Sequence, residues 1–325
     1  MTVHHDIQHL PVFDKALITI GTFDGVHKGH QQILELMKSE AQRVGGETVI
    51  ITFHPHPRTV IGPAAKHAKD AAISLLNTLE EKISILTRSG IDHLVIIPFT
   101  IEFAEQSAEA YISQFLVNTF HPHTIIIGHD HRFGKDRSGN FQLLEDKAVE
   151  YQYEVKEIPG VLLENTTISS TRIREAMLRG DIEGASDLLG YDYFFSGTVV
   201  EGNKMGRTLG YPTANLLVED ENKLIPGNGV YAVEVLQPHA EPGHQEVAID
   251  IYKGMMNIGV RPTMGGTQRV IEVNIFNFKK EIYGGTLTVT IKKHLRSEIK
   301  FSGTDTLKAQ LAKDKKAALE ALLKS

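Results

Sequence analysis

The sequence predicts an α/β Rossmann-like domain followed by a small antiparallel β-barrel with a C-terminal helix, and three observations predict it. Up to about residue 185, short β-branched runs alternate with segments whose apolar residues recur at helical spacing. Beyond about residue 190, short alternating runs are separated by Gly, Pro and Asn clusters. The chain has 325 residues, 41% hydrophobic and 23% charged, which suffices for two domains with separate cores.

The strands of the first part read ALITI (16–20), TVIITF (48–53), HLVIIPF (93–99), TIIIG (124–128) and YEVKEI (153–158). GHQQILELMKSEAQRV, AISLLNTLEEKISILTRSG and SAEAYISQFLVNTF supply helices between them, the second stopped by Gly90. Such alternation implies a mostly parallel sheet covered on both faces, with ligands at the carboxyl ends of its strands. LRGDIEGASDLLGYDY carries the connection, which sets domains 1–186 and 187–325. YFFSGTVV, GVYAVEVL, EVAIDIYKGMMNIG, RVIEVNIFNF and TLTVTIKKHL then form the barrel, and DTLKAQLAKDKKAALEALL is its one helix.

Composition excludes several classes. A formal charge of -6 argues against a general nucleic-acid binder, which needs a basic face. The basic run KDKKAALEALLKS has helically spaced Leu and Ala, so its lysines read as a solvated face. No apolar run approaches the roughly 20 residues that span a bilayer, and MTVHHDIQHL lacks the apolar core of a signal peptide, so a cytoplasmic location is expected. The absence of cysteine removes disulfides, thiolate metal sites and cysteine nucleophiles.

The densest chemical signal is GTFDGVHKGH (21–30). A strand running into GTFDG and a helix starting near Lys28 put His27 and His30 at a helix N-terminus, where free N–H groups and the macrodipole favour an anion. An imidazole pair there can donate to phosphate oxygens. The His-x-x-His spacing also fits a metal site with Asp24 as third ligand, or two surface histidines in a tight turn.

GTFDGVHKGHQQIL resembles the nucleotidyltransferase superfamily and, in this form, the bacterial bifunctional riboflavin kinase/FAD synthetase family. FHPHP (53–57), GHDHRFGKDRSG (128–139) and ISSTRIR (168–174) match further motifs in order. The resemblance implies adenylyl transfer from ATP to FMN with loss of pyrophosphate. It assigns nucleotide and phosphate contacts to Gly21, Phe23, Asp24, Gly25, Ser170, Thr171 and Arg174, and catalytic donation to His27 and His30. Flavin contacts fall to Gly128, Asp130, Arg132, Phe133 and Gly134. His131 stands where the family usually has Phe. Without the resemblance, SSTRIREAML is a well-capped helix, and Arg132, Lys135 and Arg137 fit a solvated loop.

GNKMGRTLGYPTAN (202–215) is not a P-loop. Gly202 and Gly206 are separated by three residues instead of four, and Arg207 replaces the lysine. It resembles the glycine-rich segment and PTAN motif of riboflavin kinases, with NIGVRPT (257–263) and IEVNIFNF (271–278) following in order. The resemblance implies phosphorylation of riboflavin by ATP, with Gly202, Gly206 and Arg207 on the nucleotide. Thr213 and Asn215, two apart on one strand face, can offer oxygens to Mg²⁺. Glu272, on the face opposite Val273 and Ile275, is the candidate base; by pattern alone it is an exposed strand glutamate. Asn274 and Asn277 stand where His and Asp are commoner. The expected partners are riboflavin, FMN and ATP with Mg²⁺, with neither nucleic acid nor membrane. The competing readings are a chain with one active domain and a flavin-binding regulatory protein. Both histidines, the whole PTAN and Glu272 argue against the latter.

Overall fold

A computed structural model describes residues 1–61, 74–128, 131–158, 168–202, 205–240, 247–263 and 266–323. By internal contacts the chain divides into two units, Met1–Ser170 and Thr171–Ser325.

The first unit is built on strands β1 (Thr2–His4), β2 (Leu17–Ile20), β3 (Thr48–His54), β4 (His93–Pro98), β5 (Thr124–Ile127) and β6 (Glu154–Glu157). They pair in the order β1-β4-β3-β2-β5-β6, every neighbouring pair parallel. Ile18, Ile20, Ile51, Ile125 and Ile127 enter one buried cluster; Leu17, Ile50, Leu94 and Ile126 enter another. Burial on both faces is why these strands read as continuous apolar runs. Helix Lys28–Val44 covers one face with Leu34, Met37 and Ala41, and the helical stretch 108–120 covers the other with Tyr111, Ile112, Phe115 and Leu116. Each large apolar side chain so buried contributes roughly 1.5–3 kcal/mol. Strand order reverses at β2, which opens a crevice at the carboxyl ends of β2 and β5.

Local structure departs from the sequence reading at several points. β1 arises from a polar stretch, because pairing with β4 satisfies its backbone without an apolar pattern. Helix Phe141–Tyr151 buries only Phe141 and Leu144, too few to set a period; Asn140 caps it by accepting the Leu143 N–H at 2.9 Å. The stretch 108–120 widens into a π-helix over Tyr111–Val117. Helix Leu79–Thr87 starts with a capping box between Thr78 and Glu81 and ends short of Gly90, which turns left-handed at φ 75°.

In the second unit, the segment read as a connection begins in the last turn of helix Ser170–Arg179 and folds into helix Ile182–Leu189. Six strands follow: β7 (Phe194–Val200), β8 (Ala214–Leu217), β9 (Gly229–Ala240), β10 (Val247–Thr263), β11 (Gly266–Ile275) and β12 (Thr286–Arg296). They close an antiparallel barrel in the order β10-β11-β8-β7-β12-β9. The interior holds Phe195, Val233, Val235, Val273, Val289 and Ile291, all fully buried. A short helix, Met205–Leu209, interrupts what reads as helix-free sequence.

Helix Thr304–Ala321 packs Ala318, with Leu322 just beyond it, against Ala232, Met255 and Phe276. Its lysine run hides an anchor: Asp314 is 3% exposed and takes a fork from Arg296, Nε to Oδ1 at 2.9 Å and Nη2 to Oδ2 at 2.7 Å.

Gly134, in the loop after β5, has φ 70°, and a Cβ there would lie 2.9 Å from the Ala108 backbone. Gly134→Ala is therefore expected to destabilise the first unit by about 1–3 kcal/mol or more, the scale of a strained left-handed residue. Urea unfolding should show a lower midpoint with an unchanged slope.

Candidate active sites

Beyond β2, the Gly21 N–H donates to the Ile51 carbonyl at 3.0 Å, and the chain then turns left-handed at Phe23 (φ 47°), Gly25 (φ 86°) and Val26 (φ 36°). Two of these carry side chains, and both are buried beneath helix Lys28–Val44, Phe23 at 2% and Val26 at 1% exposure. Burial of roughly 1.5–3 kcal/mol each offsets a backbone cost of about 1–3 kcal/mol. Asp24 is buried, its carboxylate accepting the Leu76 N–H at 2.9 Å, while the Ser170 hydroxyl donates to the Asp24 carbonyl at 2.9 Å.

The turn delivers His27 as the N-cap of a 17-residue helix whose first turn has no side-chain cap, so its N–H groups are open to an anion. The His27 and His30 rings stack with centroids 3.8 Å apart and planes 16° apart, and His30 meets the Phe23 ring at 4.9 Å. His30 is half-buried, with its Nδ1 shielded from solvent. Burial, reinforced by His27 and Lys82, holds the His30 imidazole well below its ordinary 6.5, in the neutral form that keeps one N–H to donate.

Lys82 is the residue that sequence reasoning missed. It is 6% exposed, and its ammonium donates to the Thr22 carbonyl at 2.7 Å and the Thr52 hydroxyl at 3.4 Å. Burial pushes its pKa down to about 8, with the Asp24 carboxylate opposing. The signal was present: Lys82 stands in the apolar row Leu79, Ile83, Leu86 of its helix, where a charge is out of pattern.

Among the described residues no three His, Asp or Glu side chains gather as metal ligands. Asp24, the third ligand that a metal site would need, is turned to Leu76.

Gly128 is buried at the end of β5, beside β2 in the sheet, so the GTFDG and GHDHRFG segments leave neighbouring strand ends. Asp130 lies outside the described residues. Arg132 is exposed and donates to the His131 carbonyl at 3.1 Å. Phe133, expected at the flavin, is a core residue 6% exposed, stacked on Tyr111 at 4.8 Å; packing engages its ring, so it shapes the loop. Thr171 is exposed and Arg174 half-buried on the helix that Ser170 opens.

In the barrel, register aligns Asn257 on β10, Glu272 on β11 and Asn215 on β8 in one row, with Cβ atoms of such neighbours typically about 4.5–5.5 Å apart. A Cβ on Gly202 would overlap the Asn215 amide, and one on Gly206 would lie 3.4 Å from the Thr213 hydroxyl and overlap the Tyr211 carbonyl. Gly202 thus leaves room for the Asn215 side chain, and Gly206 for the Tyr211 carbonyl. Glu272 pairs with Arg261, Oε1 to Nη2 at 2.8 Å. The Asn274 amide donates to the Pro212 carbonyl at 2.6 Å and so ties down the PTAN loop. Asn277 is exposed at φ 57°, a conformation asparagine tolerates.

Glu272, Arg261, Asn274, Gly206 and Thr213 line a cavity of about 250 Å³. Arg207, Pro212, Phe278, Tyr283 and, again, Thr213 line a groove of about 540 Å³. Arg207 is exposed and donates to the Tyr283 hydroxyl at 3.4 Å.

Comparison with known proteins follows the same division. A family model for FAD synthetase matches residues 11–172, and one for riboflavin kinase matches residues 189–322. The bifunctional riboflavin kinase/FMN adenylyltransferase of Haemophilus influenzae is 36% identical over 307 residues, 94% of either chain. The chain belongs to this bifunctional flavin-synthesis family. The Bacillus subtilis bifunctional enzyme is 35% identical over 308 residues, 94% of this chain and 92% of its own. A crystal structure described as a macrolide-efflux protein from Streptococcus pneumoniae matches with a TM-score of 0.83 and 31% identity over 98% of each chain. Among the described residues of this family member, no helix is long and apolar enough to cross a membrane. The expectation drawn from the ordered motifs, two transferase domains in one flavin-synthesis chain, is thus met.

Because His30 is held below 6.5 in the folded state, the unfolded chain binds the extra proton as pH falls through that range. Stability is therefore expected to drop on acidification between about pH 7.5 and 5.5. His30→Gln should lose part of that dependence in urea titrations at the two pH values.

Proposed function

We propose that the barrel phosphorylates riboflavin and the α/β unit then adenylylates the FMN formed, with the residues described dividing the chemistry between them. The observation that carries this reading is that each half assembles its own set: an imidazole pair at an uncapped helix N-terminus in the one, a carboxylate in a glycine-relieved row in the other. We assign adenylyl transfer to residues 1–186 and phosphorylation to 187–325, supported by family matches over 11–172 and 189–322. ATP serves both steps, which supports a cytoplasmic location.

In the first reaction Glu272 accepts the proton of the terminal ribityl hydroxyl, and the oxygen attacks the γ-phosphorus as the bond to the β-phosphate oxygen breaks and ADP leaves. Arg261 orients the carboxylate through their ion pair. The cavity beside Glu272 suits the flavin and the groove beyond Thr213 suits the nucleotide, with Arg207 on its phosphates. Mg²⁺ fits the donor set: the Thr213 hydroxyl and Asn215 amide oxygen are hard ligands in a space that Gly202 and Gly206 keep open. The ion would supply neutralisation of phosphate charge.

In the second reaction a phosphate oxygen of FMN attacks the α-phosphorus of ATP and pyrophosphate leaves. Catalysis of such a step is positioning and charge stabilisation. His27 and His30 donate to the triphosphate, with Gly21, Phe23, Asp24 and Gly25 shaping the turn. Ser170, Thr171 and Arg174 add hydroxyls and a cation. Gly128, Asp130, Arg132 and Gly134 shape the flavin loop, with Phe133 as its buried peg.

Two substitutions in one chain test this division. His30→Ala should lower FAD formation by roughly 10²–10³-fold, the loss expected for one preorganised donor, and spare FMN formation. Glu272→Gln should lower riboflavin phosphorylation by about 10²–10⁴-fold, the range for a general base, and spare conversion of supplied FMN to FAD. Chromatographic separation of FMN and FAD reads both steps in one sample. Near-normal FMN production by folded Glu272→Gln would move the base to Asp250 or to Glu246, the latter outside the described residues.

A further inference from the structure

A lysine buried in a helix row that is otherwise apolar needs a reason other than packing, since apolar residues of similar size are often as stable or more stable in such places. The Lys82 ammonium donates to the Thr22 carbonyl and, more weakly, to the Thr52 hydroxyl, while the Asp24 carboxylate attracts it through space. Thr52 also donates to the Thr22 carbonyl, at 3.3 Å. One peptide oxygen in the turn between β2 and the histidines is thus held from below by two donors.

In a trans peptide the C=O and N–H point in opposite directions. Anchoring the Thr22 oxygen on the buried side therefore turns the Phe23 N–H away from Lys82. Among the described residues no acceptor takes that N–H. Phe23 itself is held left-handed at φ 47°, with its ring against His30. An ammonium bonded to a carbonyl also polarises the peptide and strengthens the N–H as a donor.

We infer that Lys82 is a positioning residue of adenylyl transfer, its buried ammonium fixing and polarising the Thr22–Phe23 peptide so that the Phe23 N–H meets the transferred phosphate beside His27 and His30. The inference rests on the reading of the imidazole pair as the adenylylation site. Two further observations agree with it. At neutral pH the lysine is mainly charged even with its pKa lowered to about 8. Its charge also helps to keep His30 neutral.

The test compares Lys82→Met and Lys82→Gln in the full chain; Gln keeps a neutral donor and Met keeps only the bulk. Both should lower kcat for FMN-to-FAD conversion by about ten- to a hundredfold, the scale of a misplaced reacting group. KM for FMN and ATP should change little, and riboflavin phosphorylation in the same sample should stay at the parental rate. A parental kcat in either folded variant overturns the inference. So does a loss expressed only in KM, or a parallel loss of both reactions with a lowered Tm, since either marks a merely structural lysine. His30→Ala is run alongside. If it leaves FAD formation intact, the site reading itself fails; if it abolishes FAD formation while both Lys82 variants remain active, only the role of Lys82 fails.

Discussion

The left-handed passage from Phe23 to Val26 is the constraint around which the first site is organised. A helix whose N-terminus is to face the crevice must begin within a few residues of the end of β2, and the chain reverses that sharply only with positive φ at Phe23, Gly25 and Val26. Glycine adopts such a conformation freely; phenylalanine and valine do so only under compulsion. The compulsion is burial, because both side chains sit beneath the helix they introduce. Backbone, core and site are therefore one arrangement. The packing that tolerates the turn also seats His27 as N-cap and stacks it on His30.

The barrel reaches comparable order by leaving atoms out. Gly202 lacks the Cβ that would displace Asn215, so that side chain lines up beside Glu272, and Gly206 lacks the one that would strike the Tyr211 carbonyl. The row is rigid because it crosses three strands of a closed sheet. At the far end of the chain, the fork from Arg296 to Asp314 does for the terminal helix what a hydrophobic stripe would otherwise do. Both of these residues also line the cavity that holds Glu272.

Strands with both faces buried, such as β3 and β5, were legible because most of their residues are apolar, and the barrel strands because theirs alternate. β1 was not legible: its three residues owe their conformation to β4, a partner far along the chain. His27, His30, Thr213, Asn215 and Glu272 were singled out because their spacing repeats that of a known family. Phe133 misled for the same reason, since a motif gives residue types in order and says nothing of which way a ring points. Lys82 and Asp314 escaped as ordinary helix charges; each acquires its meaning from a group distant in sequence, the Thr22 carbonyl in one case and Arg296 in the other.

Thr213 borders both the cavity beside Glu272 and the groove beside Arg207. That side chain is thus common to the walls of both spaces. On the proposed placement, acceptor and donor reach the reaction from different spaces, so neither has to pass the other. Geometry of this kind imposes no compulsory sequence of arrival and departure. Any ordering in the steady state would have to come from loop movement driven by one ligand, and the kinetic scheme becomes a property of the loops rather than of the barrel.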